Sequence, residues 1–304
     1  MNDATAPAPR CGFVALAGAP NAGKSTLLNL LAGTKISIVT HKVQTTRCRV
    51  RGIAIEGQSQ IIFVDTPGIF AAKRRLERAM VAAAWAGVGD ADETLLLADA
   101  THGDMDGDTR LIIDGLRARG ARAVLALNKI DLVKRERLLA LAARFEAEDI
   151  FKAIFMISAL SGDGVADLCR DLAARMPAGP WLYPEDQVSD MPLRLLAAEV
   201  VREKLFLRLH QELPYSLTVE TEEWQDFDNG SVRIAQVIYV ARDSHKAICL
   251  GKGGRAIKAV REAAQKELES LLGRQVHLFL HVKVREKWLD DPARYRAWGL
   301  DFEV

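Results

Sequence analysis

The sequence predicts two domains of different class: an α/β domain with a mostly parallel sheet and helices on both faces, followed by a smaller α+β domain. Three observations lead to this prediction. The chain has 304 residues, which suggests two domains at roughly 150 residues each. From residue 11 to residue 175, short apolar runs alternate with segments of helical apolar spacing. The alternation stops in a proline-containing stretch, residues 177–192, and a different order of elements follows.

The first domain is predicted from its alternating strands and helices. Strands of this kind form a parallel sheet that binds ligands at the carboxyl ends of its strands. The expected strands are 11–17, 60–64, 93–99, 121–128 and 154–158, and the expected helices are 25–32, 75–88, 108–119, 135–148 and 164–175.

The second domain is predicted to have the order α-β-β-α-α-β. Its expected elements are helix 193–212, strands 215–223 and 231–241, helices 244–250 and 255–272, and strand 275–283. Residues 1–10 contain two prolines and no apolar segment, so we expect a disordered tail. The predicted bounds are therefore tail 1–10, first domain 11–176, linker 177–192, second domain 193–285 and C-terminal extension 286–304.

Composition excludes several classes of protein. The chain is 49% hydrophobic and 27% charged with a formal net charge of +1, which is typical of a soluble globular protein and excludes a uniformly basic nucleic-acid coat. No apolar run approaches the roughly 18 residues that a membrane span needs. The four cysteines form no C-x-x-C pair, which argues against a zinc site or a disulfide framework. We therefore expect a cytoplasmic protein.

Residues 18–25, GAPNAGKS, match G-x-x-x-x-G-K-S between a predicted strand and a predicted helix. Backbone amides of such a loop surround phosphate oxygens, and the helix N-terminus adds partial positive charge. Lys24 is expected to reach the β- and γ-phosphates, and the Ser25 hydroxyl to ligate Mg²⁺. The predicted phosphate-binding residues are Asn21, Ala22, Gly23, Lys24, Ser25, Thr26 and Gly68.

A second motif, D-T-P-G, ends the apolar strand 60–64. This position brings the Asp65 carboxylate to the metal and the Gly68 amide to the γ-phosphate, so the two motifs together indicate a nucleoside triphosphatase. The predicted switch II residues are Asp65, Thr66, Pro67 and Gly68.

The base is predicted from residues 128–131, NKID, which end another apolar strand. Asp131 can accept two hydrogen bonds from guanine that adenine does not offer, so GTP is the expected ligand. Asn128 is expected to support the loop, and Lys129 to lie along the ring. An amide of the Ser158-Ala159 pair is expected to meet the guanine oxygen. The predicted guanine-binding residues are Asn128, Lys129, Asp131, Ser158 and Ala159.

The candidate segment for sensing the γ-phosphate, switch I, is Gln44, Thr45, Thr46 and Arg47. One threonine is expected to complete the Mg²⁺ shell with GTP bound and to be released on hydrolysis. We favour Thr46 and keep Thr45 as the alternative. The predicted Mg²⁺ ligands are Ser25, Thr46 and Asp65.

With these motifs in order, residues 11–176 resemble the translation-factor-like GTPases, and the form G-x-P-N-x-G-K-S narrows the resemblance to the Era and tRNA-modification GTPase group. Ile69 follows D-T-P-G, where Ras-like enzymes have a glutamine that orients water. We therefore predict slow intrinsic hydrolysis that depends on a partner or a monovalent cation. The resemblance implies that Asn21 helps to bind K⁺; the alternative is a hydrogen bond that stabilises the loop.

Residues 251–254, GKGG, precede the long helix in the order α-β-β-α-α-β, which is typical of a KH domain of the second topological type. Such a loop clamps the backbone of about four nucleotides, and Lys252 adds charge. Arg255, Lys258 and Arg261 follow at helical spacing and make the face basic. Ile248 and Ile257 are candidates for the floor of the groove or, alternatively, for the core. The predicted RNA-binding residues are Ile248, Gly251, Lys252, Gly253, Gly254, Arg255 and Lys258.

From residue 11 to residue 300 the chain resembles the bacterial Era family, with further likeness at 184–186, 198–204 and 212–216. The resemblance implies GTP or GDP with Mg²⁺ as cofactors, binding to the 3′ end of 16S ribosomal RNA, and a role in 30S subunit assembly. It also implies peripheral contact with the inner membrane, and we expect a monomer. The alternative is a signalling or cell-cycle GTPase whose KH fold contacts protein or membrane instead of RNA.

Overall fold

The structure is a computed structural model that describes residues 8–42, 45–209 and 213–304. The chain divides into two compact units. The first comprises the chain through Ile36, Thr46–Asp190 and Tyr295–Val304, and the second comprises Ser37–Thr45 and Met191–Arg294. Thus Ser37–Thr45, from the first half of the chain, belongs to the second unit, and Tyr295–Val304, from the second half, belongs to the first. The predicted bounds of tail, linker and domains stay a prediction.

The first unit is built on a six-stranded sheet with the order β2-β3-β1-β4-β5-β6. Every neighbouring pair is parallel except β2 and β3, which are antiparallel. All residues of β3 and β5 are buried, as expected for central strands covered on both faces. The strands are β1 (Arg10–Gly18), β2 (Val50–Glu56), β3 (Ser59–Asp65), β4 (Glu93–Asp99), β5 (Ala123–Asn128) and β6 (Phe151–Met156).

Within the described residues of the first unit, five helices cover this sheet. Successive side chains of a strand face opposite sides, so Ala15 and Ala17 of β1 pack with the helices of one face while Leu16 faces the other. Asp106 caps the helix that begins at Gly107 by accepting a hydrogen bond from the Thr109 amide at 2.7 Å. The helices are α1 (Lys24–Ala32), α2 (Arg75–Asp90), α3 (Gly107–Ala118), α4 (Arg135–Glu146) and α5 (Val165–Arg175).

The second unit has a three-stranded sheet in which β7 and β8 are antiparallel and β8 and β9 are parallel. Two long helices bury apolar side chains against one face of the sheet; Val201, Leu205, Ile234 and Val260 belong to this core. The elements are α6 (Leu193–Arg208), β7 (Leu217–Asp226), β8 (Val232–Val240), α7 (Asp243–Leu250), α8 (Arg255–Leu272) and β9 (Val276–Val284). A short α9 (Pro292–Ala297) begins in this unit and ends in the C-terminal segment of the first.

The structure differs from the predicted elements in several places, and the larger differences are these. Strand β2 and helix α9 were not predicted, and β6 begins three residues before its predicted start at 154. Helix α6 ends at Arg208, whereas the prediction continued into residues 210–212, which lie outside the described residues. The predicted linker is tied to the first unit, since the Ile53 amide donates to the Val188 carbonyl at 2.9 Å.

Two predictions about chemistry concern the membrane and the thiols. In the described parts of the chain, no helix combines the length and the apolar character needed to span a bilayer. Cys11, Cys169 and Cys249 are free thiols, and Cys11, Cys48 and Cys249 are buried. Burial raises the pKa of the Cys169 and Cys249 thiols to about 11, so these two are poor nucleophiles at neutral pH.

Candidate functional site

The glycine-rich loop between β1 and α1 holds its lysine in a buried position. The Lys24 side chain is 6% exposed, and its ammonium donates to the Gly18 and Ala19 carbonyls, both at 3.0 Å. Gly23 has φ +99°, and a Cβ there would lie 2.1 Å from Asn128 Nδ2. Glycine is thus required both for backbone conformation and for space.

Burial also makes this lysine easier to deprotonate. Desolvation lowers the pKa of Lys24 to about 8, although the nearby Asp65 carboxylate acts in the opposite direction. A triphosphate beside the amine would favour its charged form. The position therefore fits a group that receives polyphosphate at the N-terminus of α1.

Three predicted metal ligands meet at the end of β3. Ser25 Oγ donates to Asp65 Oδ2 at 2.7 Å, Ser25 Oγ and Thr46 Oγ1 are 3.0 Å apart, and Thr46 Oγ1 donates to Asp65 Oδ2 at 3.3 Å. Two hydroxyls and one carboxylate form a hard oxygen donor set of the kind that Mg²⁺ prefers when it also keeps water and phosphate ligands. The donor set fits the predicted metal.

Thr45, the alternative ligand, points elsewhere. Its hydroxyl donates to the Lys42 carbonyl at 2.7 Å and lies 2.8 Å from Thr40 Oγ1. Arg202 of α6 also donates to the Thr45 carbonyl. The geometry therefore favours Thr46. Gln44, which was predicted in the same segment, lies outside the described residues.

The D-T-P-G loop lies against the glycine-rich loop. A Cβ on Gly68 would be 3.1 Å from Pro20, and the Thr66 hydroxyl donates to the Leu16 carbonyl at 2.9 Å. The Ile69 amide donates to the Gly18 carbonyl at 3.2 Å, while the Ile69 side chain is completely buried in the apolar core of the first unit. An apolar side chain that faces the core cannot orient water.

Asn128 joins three loops at the ends of the strands. Its Nδ2 donates to the Ala22 carbonyl at 2.8 Å, and its Oδ1 accepts from the Ala159 amide at 2.9 Å. Asn128 is buried, whereas Asp131 is exposed in the short 3-10 helix Ile130–Leu132. Asn128 thus organises the predicted guanine site, and the Asp131 carboxylate is accessible to a base.

Sequence reasoning missed Asp99, at the carboxyl end of β4. Asp99 Oδ2 lies 2.5 Å from Lys129 Nζ. Burial would raise the pKa of Asp99, but hydrogen bonds from Lys129 and Thr101 bring it below its ordinary value. The carboxylate therefore orients Lys129, whose backbone has φ +67°. The signal that could have identified Asp99 is its place at the same sheet edge as the other motifs.

Asn21, in the glycine-rich loop, has φ +63°. Asparagine tolerates this left-handed conformation better than most residues. The K⁺ role of Asn21 stays a prediction.

The predicted RNA loop is open and rich in left-handed backbone. Gly251, Gly253 and Gly254 have φ values of +69°, +62° and +75°. A Cβ on Gly251 would lie 2.7 Å from Ala256 Cβ, but one on Gly253 would meet nothing within 4 Å. Lys252 is exposed. The loop thus presents its main-chain amides and the exposed Lys252 ammonium at the N-terminus of α8. These are the groups that bind the phosphate backbone of a nucleic acid.

The basic face of α8 is partly neutralised. Glu262 lies 3.9 Å from Lys258 Nζ and 3.6 Å from Arg261 Nη2. Ile248 is 55% exposed, so its side chain is available to a ligand, whereas Ile257 packs against the core. The predicted alternative, a core residue, therefore fits Ile257.

Comparison with known proteins follows the same division of the chain. Residues 13–129 match the family model described as 50S ribosome-binding GTPase, and residues 212–289 match that of the KH domain. GTPase Era of Rhizobium meliloti (strain 1021) is 60% identical over 293 residues, which cover 96% of this chain and 93% of that protein. The chain belongs to the GTPase Era family. Era of Sinorhizobium medicae (strain WSM419) is 61% identical, over 96% of this chain and 94% of that protein.

Solved Era structures share the whole fold. An Aquifex aeolicus Era variant bound to GDP·AlF4⁻ has a TM-score of 0.89 and 38% identity, covering 95% of this chain and 99% of that one. Era in complex with MgGDPNP and nucleotides 1506–1542 of 16S ribosomal RNA has a TM-score of 0.90 and 38% identity, covering 96% and 99%. The predicted fold class and family are thus confirmed. The roles of individual residues stay predictions that the geometry supports.

Proposed function

We propose that this chain is a GTP-hydrolysing switch that binds the 3′ end of 16S ribosomal RNA through its KH domain and acts in assembly of the 30S subunit. The observation that carries the proposal is the likeness, along 96% of the chain, to an Era that holds MgGDPNP and 16S ribosomal RNA together. The chain's own residues support both halves of it.

In the nucleotide half, Lys24 and the amides of the glycine-rich loop would hold the β- and γ-phosphates, while Ser25, Thr46 and Asp65 would hold Mg²⁺. The metal supplies charge neutralisation at the phosphates. Asp131 would accept hydrogen bonds from guanine. These assignments rest on the short distances that join the metal-site side chains.

Hydrolysis by this site is proposed to be slow. The side chain after the D-T-P-G loop, Ile69, is completely buried and cannot orient the attacking water. Another group must therefore orient it. A monovalent cation at Asn21 or a bound partner would fill that role. Such a switch holds its RNA until the hydrolytic site is completed.

In the RNA half, the main chain of residues 251–254 would clamp the phosphate backbone, with Lys252 and Arg255 adding charge. Both side chains are exposed, and Arg255 donates to the Lys252 carbonyl at 3.2 Å, which keeps the guanidinium at the loop. Ile248 would contact a base from the adjoining end of α7. Binding of this kind weakens as salt concentration rises.

The test measures binding of a short single-stranded RNA with the 3′ sequence of 16S ribosomal RNA, over a series of salt concentrations. The variant is Lys252→Asp with Gly253→Asp. The matched control is Gly273→Asp with Arg274→Asp, which makes the same change of charge at the other end of α8, where Gly273 also has φ +63° and open space for a Cβ. We expect the first variant to lose binding and the control to keep it.

Equal RNA binding by the wild type and the Lys252 and Gly253 variant would contradict the proposal. That result would favour the alternative, a signalling or cell-cycle GTPase whose KH fold contacts protein or membrane. Action in the cytoplasm as a monomer, with weak peripheral contact with the inner membrane, belongs to the same proposal. The free cysteines are consistent with a reducing compartment.

A further inference from the structure

The C-terminal residues 295–304 form an ordered aromatic cluster that belongs to the first unit. Tyr295 is completely buried; its ring centroid lies 6.0 Å from that of Trp298 and 5.0 Å from that of Phe302, with the second pair edge to face. The Leu300 amide donates to the Tyr295 carbonyl at 2.8 Å, which closes the turn between them. The segment therefore holds its rings in fixed relative positions.

Two rings of this cluster pack on arginines, one in predicted switch I and one at the start of α2. The Arg47 guanidinium carbon is 5.9 Å from the Trp298 ring centroid, and that of Arg75 is 4.6 Å from the Phe302 ring centroid. Arg47 directly follows the predicted Mg²⁺ ligand Thr46. Arg75 is the first residue of α2, the helix that follows the D-T-P-G loop. The C-terminal cluster thus contacts predicted switch I through Arg47 and the helix after predicted switch II through Arg75.

The contact with Arg47 is the longer of the two, but it is the more buried. Arg47 is 2% exposed, so its guanidinium is removed from water, and the attraction between a cation and a ring grows when the pair is desolvated. Arg75 is exposed, which weakens its contact with Phe302 through solvent.

Anchoring Arg47 also restricts Thr46. Adjacent Cα atoms are about 3.8 Å apart, so a fixed Arg47 limits where the Thr46 backbone can lie. The Thr46 hydroxyl must stay close to Ser25 Oγ, 3.0 Å away, if both are to share one metal ion. The Trp298 ring can therefore influence the predicted metal site through the backbone that joins Arg47 to Thr46.

We propose that Trp298 is a positioning residue for GTP hydrolysis: its ring holds Arg47, and through Arg47 it keeps Thr46 beside Ser25 and Asp65. Phe302 makes a second, more exposed contact of the same kind at the start of α2. The inference rests on the proposed function, because it requires Thr46 to be a ligand of Mg²⁺.

The experiment compares Trp298→Leu with the wild type in the full chain, measuring GTP hydrolysis across a range of Mg²⁺ concentrations and GDP affinity at saturating Mg²⁺. We expect about fivefold more Mg²⁺ to be needed for half-maximal hydrolysis, as for loss of one desolvated cation–ring contact. GDP affinity should change by less than about twofold, since Thr46 is expected to ligate the metal only with GTP bound. Trp298→Phe, which keeps a ring beside the guanidinium, should restore most of the wild-type Mg²⁺ dependence.

Trp85→Leu is the matched control, because it removes another arginine–tryptophan pair from the same unit. The Arg119 guanidinium carbon is 4.0 Å from the Trp85 ring centroid, and the ring packs against Gly115 of α3. A Mg²⁺ dependence that shifts equally in Trp298→Leu and Trp85→Leu would overturn the proposal, since loss of stability would then explain both. Phe302→Leu, at a half-buried ring, provides a milder second variant with an expected shift of about twofold.

A further outcome separates this inference from the proposed function. If the wild-type chain binds GTP and hydrolyses it without dependence on Mg²⁺, the predicted metal site itself is wrong, and the role of Trp298 fails with it. If the wild type depends on Mg²⁺ and the Trp298 and Phe302 variants follow the same curve, only the positioning role fails.

Discussion

The two candidate sites share one backbone feature, but it is buried in the first site and exposed in the second. In each, a glycine-rich loop turns directly into a helix, α1 or α8, with a glycine of positive φ as the residue before it: Gly23 at +99° and Gly254 at +75°. The lysine of the first loop is 6% exposed and bonded to two carbonyls, whereas Lys252 of the second is exposed. Both loops are predicted to present amides to phosphate, and among the described residues the first is enclosed by other loops whereas the second is open.

This difference indicates what each site can discriminate. The first loop is buried, and Asn128 fixes the loops around it. Each polar group of the ligand must therefore find a partner in the site, and a ligand with a wrong group leaves buried polar atoms unpaired. An open loop reads charge and backbone, which every nucleotide shares, so its binding tolerates sequence and depends on salt. Substitutions at the first site should therefore change specificity and lower stability strongly, whereas those at the second should change affinity and lower stability less.

The largest expected effect tests discrimination by the enclosed site. Asp131→Asn should reverse the preference between GTP and xanthosine triphosphate, because the new amide matches the oxygen of xanthine and no longer accepts the two bonds from guanine. The ratio of the two affinities should change by a factor on the order of 10⁴. Competition binding measures it, with Asp149→Asn, at a carboxylate that is 96% exposed, as the control. An unchanged ratio would mean that Asp131 does not read the base.

The second prediction makes the same substitution in both loops. Gly23→Ala meets a strained φ and an amide nitrogen 2.1 Å from the new Cβ, whereas Gly253→Ala meets a φ of +62° and open space. We expect a loss in the free energy of unfolding of about 3 kcal/mol for the first and about 1 kcal/mol for the second. Denaturant titration measures both. Losses of equal size would show that the enclosure of the first loop has no energetic consequence.

The sequence was sufficient for the central strands and for the motifs at their ends. Strands such as β3 and β5 are buried on both faces and read as continuous apolar runs, so their ends could be located within about two residues. Strand β2 was missed because Gly52 and the charged Arg51 interrupt its pattern. The reason for the glycine is tertiary, since a Cβ on Gly52 would lie 2.5 Å from Leu28 of α1.

The spacing of residues along the sequence could not predict contacts between distant parts of the chain. The sequence favoured Thr46 over Thr45, but no local pattern separates the two threonines; the distances from Thr46 to Ser25 and Asp65 give that preference its support. The partners of Arg47 could not be predicted for the same reason, because Trp298 lies 251 positions further along the chain. Motifs identify the residues that touch a ligand, but residues that hold those in place have no motif.

The smallest expected effect concerns the open loop, and it tests whether that loop works by charge alone. Lys252→Ala should lower the slope of log affinity against log salt by about 0.7 for a single-stranded RNA, which is the change for one lost phosphate contact. Lys258→Ala should change the slope less, because Glu262 lies 3.9 Å from its ammonium and already neutralises part of its charge. Lys266→Ala, at an exposed position on the same helix, is the control and should leave the slope unchanged.

The order of these three slopes is the informative result. If Lys252 acts only as a charge, its substitution should weaken RNA of every sequence equally and leave the free energy of unfolding within about 0.5 kcal/mol of the wild type, as expected at an exposed position. A loss of affinity for one RNA sequence and not for others, with an unchanged slope, would mean that Lys252 contacts a base. The open loop would then share the group-by-group recognition that we assign to the enclosed one, and the contrast between the two sites would be wrong.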